Sequence, residues 1–198
     1  MDHPDHLPRL PAACYRGTAW VHWTITLHDR RTGWLDDSMH QFFRELLLHA
    51  GARYHLHCPA YCLMPDHAHV LWMGIAPHSD QLLAMRFFRR HWNSRLKPPQ
   101  FKLQPQSHDR VLRQPECQQD SFEDTVLYIR QNPERAGLVK SWQDWCYGGT
   151  IVPRYPDVPI FPAAEFWGRF WKLHQGEVRR YHDSPENRRP NDGCEEKR

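Results

Sequence analysis

Apolar residues along this chain follow two periods, and each predicts an element. Thr18 to Leu27, TAWVHWTITL, is rich in aromatic and β-branched residues and predicts a strand. After a turn at Arg31–Gly33, Phe42, Phe43, Leu46, Leu47 and Ala50 recur at helical spacing. Asp36, Asp37 and Ser38 offer caps for that helix, and Gly51 offers a stop. Arg53 to Leu63 predicts a second strand, interrupted at Pro59, because proline cannot donate to a ladder. Met64-Pro65-Asp66 is a short connection to a third strand, His67 to Met73, so the two strands predict a hairpin. Ser79 is expected to cap a second helix running to about Leu96. Its stripe is Leu82, Leu83, Met85, Phe87, Phe88 and Trp92, and Pro98-Pro99 ends it. Phe101–Gln104 and Arg110–Arg113 read as short extended segments. Ser121 with Asp124 resembles a capping box. It opens a third helix with Phe122, Val126 and Ile129 on one side, closed at Asn132-Pro133 because a residue before proline is biased away from the α region.

The order strand, helix, strand, strand, helix, strand, then an added helix is the ferredoxin-like split βαβ pattern. It predicts an α+β fold, an antiparallel RRM-like sheet with helices packed on it. With 198 residues, one domain with a sizeable core is expected. The division expected is a loose, proline-rich start (1–14), a main domain (15–155), a C-terminal extension (156–182) and a polar, disordered tail (183–198).

Composition narrows the class. Apolar content of 40% and charged content of 25% suit a globular protein. No apolar run approaches the roughly 20 residues that span a bilayer, and the N-terminus lacks a signal pattern, so a cytoplasmic protein without membrane contact is expected. Cys14, Cys58, Cys62, Cys117, Cys146 and Cys194 are scattered, which argues against a disulfide scaffold. Cys58 and Cys62 are the one close pair, read as buried thiols in preference to a zinc half-site. Net charge is only +3, but it is unevenly spread. Between Gln81 and Arg113, Arg86, Arg89, Arg90, Arg95, Lys97, Lys102, Arg110 and Arg113 face the single anion Asp109. Such a patch suits a polyanion such as nucleic acid; on charge alone, a solvated basic helix face fits equally well.

His67 and His69 stand two apart in MPDHAHVLW. Residues i and i+2 of a strand point to one face, so the two imidazoles can converge on one divalent ion, with Ala68 turned to the opposite layer. Two ligands leave positions open for a substrate oxygen, as catalytic sites require. Asp66 precedes the pair and could orient a histidine or touch the ion. An amidohydrolase barrel also carries H-x-H on a strand but needs about 250 residues. Cupins are nearly all β, against three helical patterns here. On the third helix, Tyr128 and Asn132 are four apart and share a face. Read from the residues alone, Tyr128 is a half-buried aromatic or a reactive group, and Asn132 a helix cap or a ligand.

The run YCLMPDHAHVLW resembles the histidine–hydrophobic–histidine (HUH) motif of single-tyrosine transposases. YIRQNPERAGLV resembles their tyrosine helix. The combination, with HDRVLR between the motifs, is similar to the REP-associated tyrosine transposases over about residues 15 to 150. The resemblance implies His67, His69 and Asn132 as metal ligands and Tyr128 as nucleophile, with Mg²⁺ or Mn²⁺ as the ion. Relatives often carry asparagine where this chain has Asp66. The implied activity is cleavage and rejoining of single-stranded DNA through a 5′-phosphotyrosine, on a hairpin-forming palindromic substrate, by a monomer or homodimer. A covalent intermediate conserves the reactivity of the cut bond. Arg86, Arg89, Arg90, Arg95, Lys97, Arg110 and Arg113 are the candidates for holding the DNA backbone. Trp72 and Trp92 are read as core, with base stacking the alternative. The rival readings are a non-catalytic nucleic-acid-binding protein of the same fold and a metal-dependent hydrolase using water.

Overall fold

The computed structural model describes residues 9–97, 100–112, 119–155 and 157–183. Five strands, β1 (Trp20–Thr26), β2 (Leu56–Leu63), β3 (His67–Gly74), β4 (His108–Val111) and β5 (Gly148–Ile151), form one antiparallel sheet in the order β4-β1-β3-β2-β5. The first four keep the split βαβ order expected from the sequence, and β5 adds an edge beside β2. Helices α1 (Asp37–Tyr54) and α2 (Gln81–Arg95) cover one face. Helices α3 (Gln119–Arg130) and α5 (Ala163–Asp183) cover the other. A single-turn helix, α4 (Asn132–Arg135), follows α3.

Alternation in β1 sorts the two faces. Val21, Trp23 and Ile25 point to α1 and α2; Trp20, His22, Thr24 and Thr26 point the other way. The α1/α2 face is closed by Phe43, Leu47, Phe88 and Trp92 against Trp23 and Trp72, all buried. Ring contacts such as Phe43–Trp92 at 4.9 Å and Phe43–Phe88 at 5.0 Å are edge-on, the geometry aromatic quadrupoles favour. The opposite face packs Phe122, Val126 and Ile129 of α3 and Phe166 and Phe170 of α5 over Ala60, Cys62, Leu71 and Met73. Trp72 and Trp92 are therefore core side chains.

Several boundaries differ from expectation. Gly51 does not stop α1, which runs on to Tyr54 and ends at His55 with φ 56°. Gly51 is there for room, since a Cβ would lie 2.8 Å from the Leu56 carbonyl oxygen. Asp80, not Ser79, caps α2, accepting from the Leu83 amide; Ser79 Oγ instead bridges the Ala76 amide and the His55 carbonyl. Helix α3 starts at Gln119, so Ser121 and Asp124 lie within it and do not open it. At its other end α3 closes at Arg130, next to the expected Asn132-Pro133, and Pro133 sits at the start of the separate α4, where its missing N–H has no partner to lose. The extended segment expected at Arg110–Arg113 overlaps β4, which starts two residues earlier at His108, with Arg113 outside the described residues; Phe101–Gln104 contributes one bridge, Leu27–Leu103.

Pro59 does interrupt β2. The register shifts between His57 and Ala60 on one side and between Cys58 and Tyr61 on the other. This bulge inverts the alternation, so Cys58 enters the α1/α2 core while Cys62 enters the opposite one. Two buried thiols on opposite faces cannot share an ion. Burial pushes the Cys62 thiol up to about 12, so it is inert. Strand β5 and helix α5 were not anticipated. Among the described residues, no helix is long and apolar enough to cross a membrane.

Candidate metal and tyrosine site

His67 and His69 project from β3 onto the face covered by α3 and α5, while Ala68 is buried in the α1/α2 core. Strands β1 and β2 flank β3, so the pair rises from the middle of the sheet. The two Nε2 atoms lie 3.1 Å apart. Each outer nitrogen has a partner. His67 Nδ1 is 2.6 Å from Asp66 Oδ1, and since a carboxylate only accepts, the ring donates. His69 Nδ1 lies 3.0 Å from His22 Nε2 and 3.3 Å from Thr24 Oγ1, both on β1. The second Asp66 oxygen accepts from Arg30 Nη1 at 2.7 Å. The tight turn before β3 fixes that carboxylate, with Met64 N–H donating to the His67 carbonyl and Trp34 Nε1 to the Pro65 carbonyl.

The electrostatics keep His69 ready to ligate. Burial holds the His69 imidazole down to about 3, helped by the neighbouring His22, His67 and Arg135 and opposed by Asp66. His22 is held down to about 4 by burial, with Arg110 and His108 adding to it. Burial pushes the Asp66 carboxyl up, but its bonds and charges with His67 and Arg30 outweigh this and hold it below the usual range. His69 is thus neutral at neutral pH, the form a metal requires.

The donor set fits a divalent ion. Two nitrogens about 2.1 Å from one centre and at a right angle are about 3 Å apart, close to the separation of His67 and His69 Nε2. A carboxylate on the far nitrogen of a ligating histidine fixes its tautomer, and Asp66 stands there for His67. Among the described residues, however, no group of three or more His, Cys, Asp or Glu side chains converges. A third protein ligand drawn from the described residues would be of another type.

Helix α3 brings the tyrosine to this face. Val126 and Ile129 turn inward and Tyr128 is 49% exposed, off the buried stripe. Gln131 keeps αR angles and the backbone bonds from Gln131 N–H to Leu127 and from Arg135 N–H to Gln131 continue the spiral into α4. Asn132 Nδ2 donates to the Tyr128 carbonyl at 3.0 Å and the Ile129 carbonyl at 3.2 Å. The residue is a cap through its nitrogen, which leaves its amide oxygen as the atom suited to a hard cation. Arg135 lies over the Tyr128 ring, 3.8 Å from its centroid, and donates from Nη2 to the Tyr128 carbonyl at 2.8 Å.

The expected cations divide between faces. Arg86, Arg89, Arg90, Arg95 and Lys97 belong to α2 and its end, across the sheet from His67 and His69. Arg86 and Arg90 are exposed. Arg89 holds the loop after it, donating to Ser107 Oγ at 2.6 Å and to the carbonyls of Gln104 and Pro105. Arg95 stacks on Phe42. Arg9, Arg86 and Arg89 line a groove of about 470 Å³ on this side. Arg110 is different: it is directly opposite His22 in the β1–β4 register and so shares the histidine face. Arg113 lies outside the described residues. Sequence reasoning did not single out Arg135, Arg30 or Thr24 as site residues. The spacing of seven between Tyr128 and Arg135 carried the signal for one of them, since seven residues bring a helix back to nearly the same face.

Fold and site together define an α+β protein with a five-stranded antiparallel sheet, a histidine pair on its central strand and a tyrosine-bearing helix over the same face. No protein-family model matches the sequence, and no curated protein matches it. Among solved structures, a REP-associated tyrosine transposase bound to a REP hairpin superposes with a TM-score of 0.60, covering 72% of this chain and 81% of that one at 21% identity. The chain has the fold of that transposase.

Proposed function

We propose that this protein is a metal-dependent tyrosine transposase that cuts and rejoins single-stranded DNA. The observation that carries the reading is the helix bearing Tyr128 and Asn132 on the sheet face from which His67 and His69 project, with Arg135 on Tyr128. Tyr128 Oη attacks the scissile phosphorus, and its proton passes to solvent, which reaches this half-exposed side chain. The P–O3′ bond breaks, its electron pair stays on O3′, and that oxygen takes up a proton. The product is a 5′-phosphotyrosine and a free 3′-hydroxyl. Attack by a second 3′-hydroxyl reverses the step on a new strand and frees Tyr128.

His67 and His69 through Nε2 and Asn132 through its amide oxygen would hold Mg²⁺ or Mn²⁺, the nitrogen ligands favouring Mn²⁺. When bound, the ion supplies positive charge for the non-bridging phosphate oxygens. Asp66 supports His67 from behind, and Thr24 and His22 support His69. The transposase of similar fold was solved with a REP hairpin, and a folded single strand is the substrate proposed here. Arg110, opposite His22 on the histidine face, would meet the strand entering there, and the α2 arginines would meet DNA passing round the far side. The setting proposed is cytoplasmic, as a monomer or homodimer.

A second reading, a nucleic-acid-binding protein of this fold that does not cut, draws on the transposase of similar fold having been solved bound to a REP hairpin. One assay separates the two. Labelled hairpin oligonucleotides are incubated with the protein and Mn²⁺ and run on a denaturing gel. A covalent adduct that disappears in Tyr128→Phe is expected. Tight binding with no adduct favours the non-cutting protein, and cleavage without an adduct favours a water-using hydrolase.

A further inference from the structure

A half-exposed tyrosine on a helix ordinarily samples several rotamers, whereas in-line attack needs the phenol oxygen held within a narrow range. Tyr128 has no aromatic neighbour among the ring contacts of the described residues. Its partner is Arg135. The guanidinium lies 3.8 Å from the ring centroid, within the range of a cation–π contact. The same guanidinium is anchored by its 2.8 Å bond to the Tyr128 carbonyl. The cation therefore bonds the backbone of the residue whose ring it covers, and the two contacts fix each other.

The backbone supports this pairing. Arg135 stands seven residues after Tyr128, on nearly the same helical face. Helix α4 delivers it there, with Arg135 N–H bonded to Gln131 and Gly137, at φ 71°, turning the chain away immediately afterwards. Glu134, its neighbour, is engaged elsewhere, accepting from the Trp142 amide at 3.0 Å. The planar fork of arginine can stack and donate at once; the ammonium of lysine cannot cover a ring in the same way.

We infer that Arg135 is a positioning residue for the nucleophile: it clamps the Tyr128 ring before DNA arrives, in the orientation from which attack occurs. The role rests on the transposase reading, but the clamp can be measured without it.

The test has two arms. The chain contains seven tyrosines. Labelled with 3-fluorotyrosine, it gives fluorine NMR signals among which Tyr128→Phe identifies the one from position 128. In the wild type that signal is expected to be displaced from the free-tyrosine position. Arg135→Ala should return it towards that position and leave the others unmoved, with Arg135→Lys falling between. A position-128 signal indifferent to Arg135→Ala overturns the clamp. In the second arm, adduct formation on hairpin DNA with Mn²⁺ is followed against DNA concentration. Arg135→Ala should slow the rate at saturation by about ten- to a hundred-fold, while the half-saturating DNA concentration changes little. A changed half-saturation with an unchanged maximal rate would make Arg135 a DNA contact and overturn the positioning role. If the wild type forms no adduct, the transposase reading fails, and the NMR arm still decides whether the clamp exists.

Discussion

The two faces of the sheet use the same architectural device, a pair of helices over alternating side chains, to opposite ends. On the α1/α2 face, each position that β1 offers is apolar: Val21, Trp23 and Ile25, all fully buried. On the α3/α5 face the same strand offers Trp20, His22, Thr24 and Thr26, and β3 offers His67 and His69 before Leu71 and Met73. The first face is a closed aromatic core. The second is apolar under Phe122, Phe166 and Phe170, while its strands also carry His22, His67 and His69, and the helix over it carries Tyr128 and Asn132. One face anchors the sheet so that the other can hold partly buried imidazoles in fixed positions. A site that needs its groups held to fractions of an ångström is best built on central strands.

That division of labour can be broken from either side. The largest stability effect belongs to the closed face: Trp92→Ala should cost about 3–5 kcal/mol in denaturant unfolding, because Trp92 is fully buried against Phe43 and Trp34. By contrast Tyr128→Phe should stay within about 0.5 kcal/mol of wild type while abolishing the adduct. If the two changes destabilise equally, the separation of anchor from site is wrong.

Asp66→Asn tests how the histidine pair is held. Mutation of such a supporting carboxylate typically lowers metal affinity about 10- to 100-fold, measurable by titrating Mn²⁺ into the protein. Asn can still accept from His67 Nδ1, so Asp66→Ala should lose more. Equal affinities in all three proteins would remove Asp66 from the site.

The smallest expected effect lies at the far end of the polar face, where α5 crosses β2. His57 is fully buried, its Nδ1 is 3.2 Å from His174 Nδ1, and its Nε2 has no hydrogen-bond partner. Burial holds His57 down to about 3, with His174 adding to it, and burial holds His174 down to about 4. In the unfolded chain both return to about 6.5. The unfolded state then binds more protons below that pH, so stability is full above about 6.5 and is lost as pH falls through 4 towards 3. Between pH 7 and 6 the loss should be under about 1 kcal/mol for each histidine. A His57→Phe, His174→Leu double variant should show a shallower decline in melting temperature with acid than wild type. An identical decline in both would mean that other groups carry the pH dependence.

Much of the fold was legible in the chain itself. Dense β-branched and aromatic runs marked β1 and β3, and apolar recurrence marked α1 and α2. The helical stripe of α3 was read correctly, although its start was not. Helix starts were misplaced where adjacent residues competed for the cap: Ser79 and Asp80 are both good cap types, and only the backbone path decides which side chain meets the Leu83 amide. Strand β5 was missed because GGTI carries little pattern of its own and pairs through the bulge in β2. Helix α5 was obscured by the proline-rich approach to it, though its aromatic residues complete the second core.

Of the site, sequence by itself determined which residues have chemistry and which lie on one element: His67 with His69 by strand alternation, Tyr128 with Asn132 by helical spacing. Those relations are local, set by periods of two and 3.6 residues. Only the tertiary structure decided what faces what. It set Asp66 behind His67 and His22 behind His69, contacts that depend on a turn and on strand register. It put the α2 arginines across the sheet from the histidines and Arg110 beside them, which a count of charges along the chain cannot separate. And it laid Arg135 over Tyr128, because a ring and a guanidinium seven residues apart meet only if the helical path survives the proline between them.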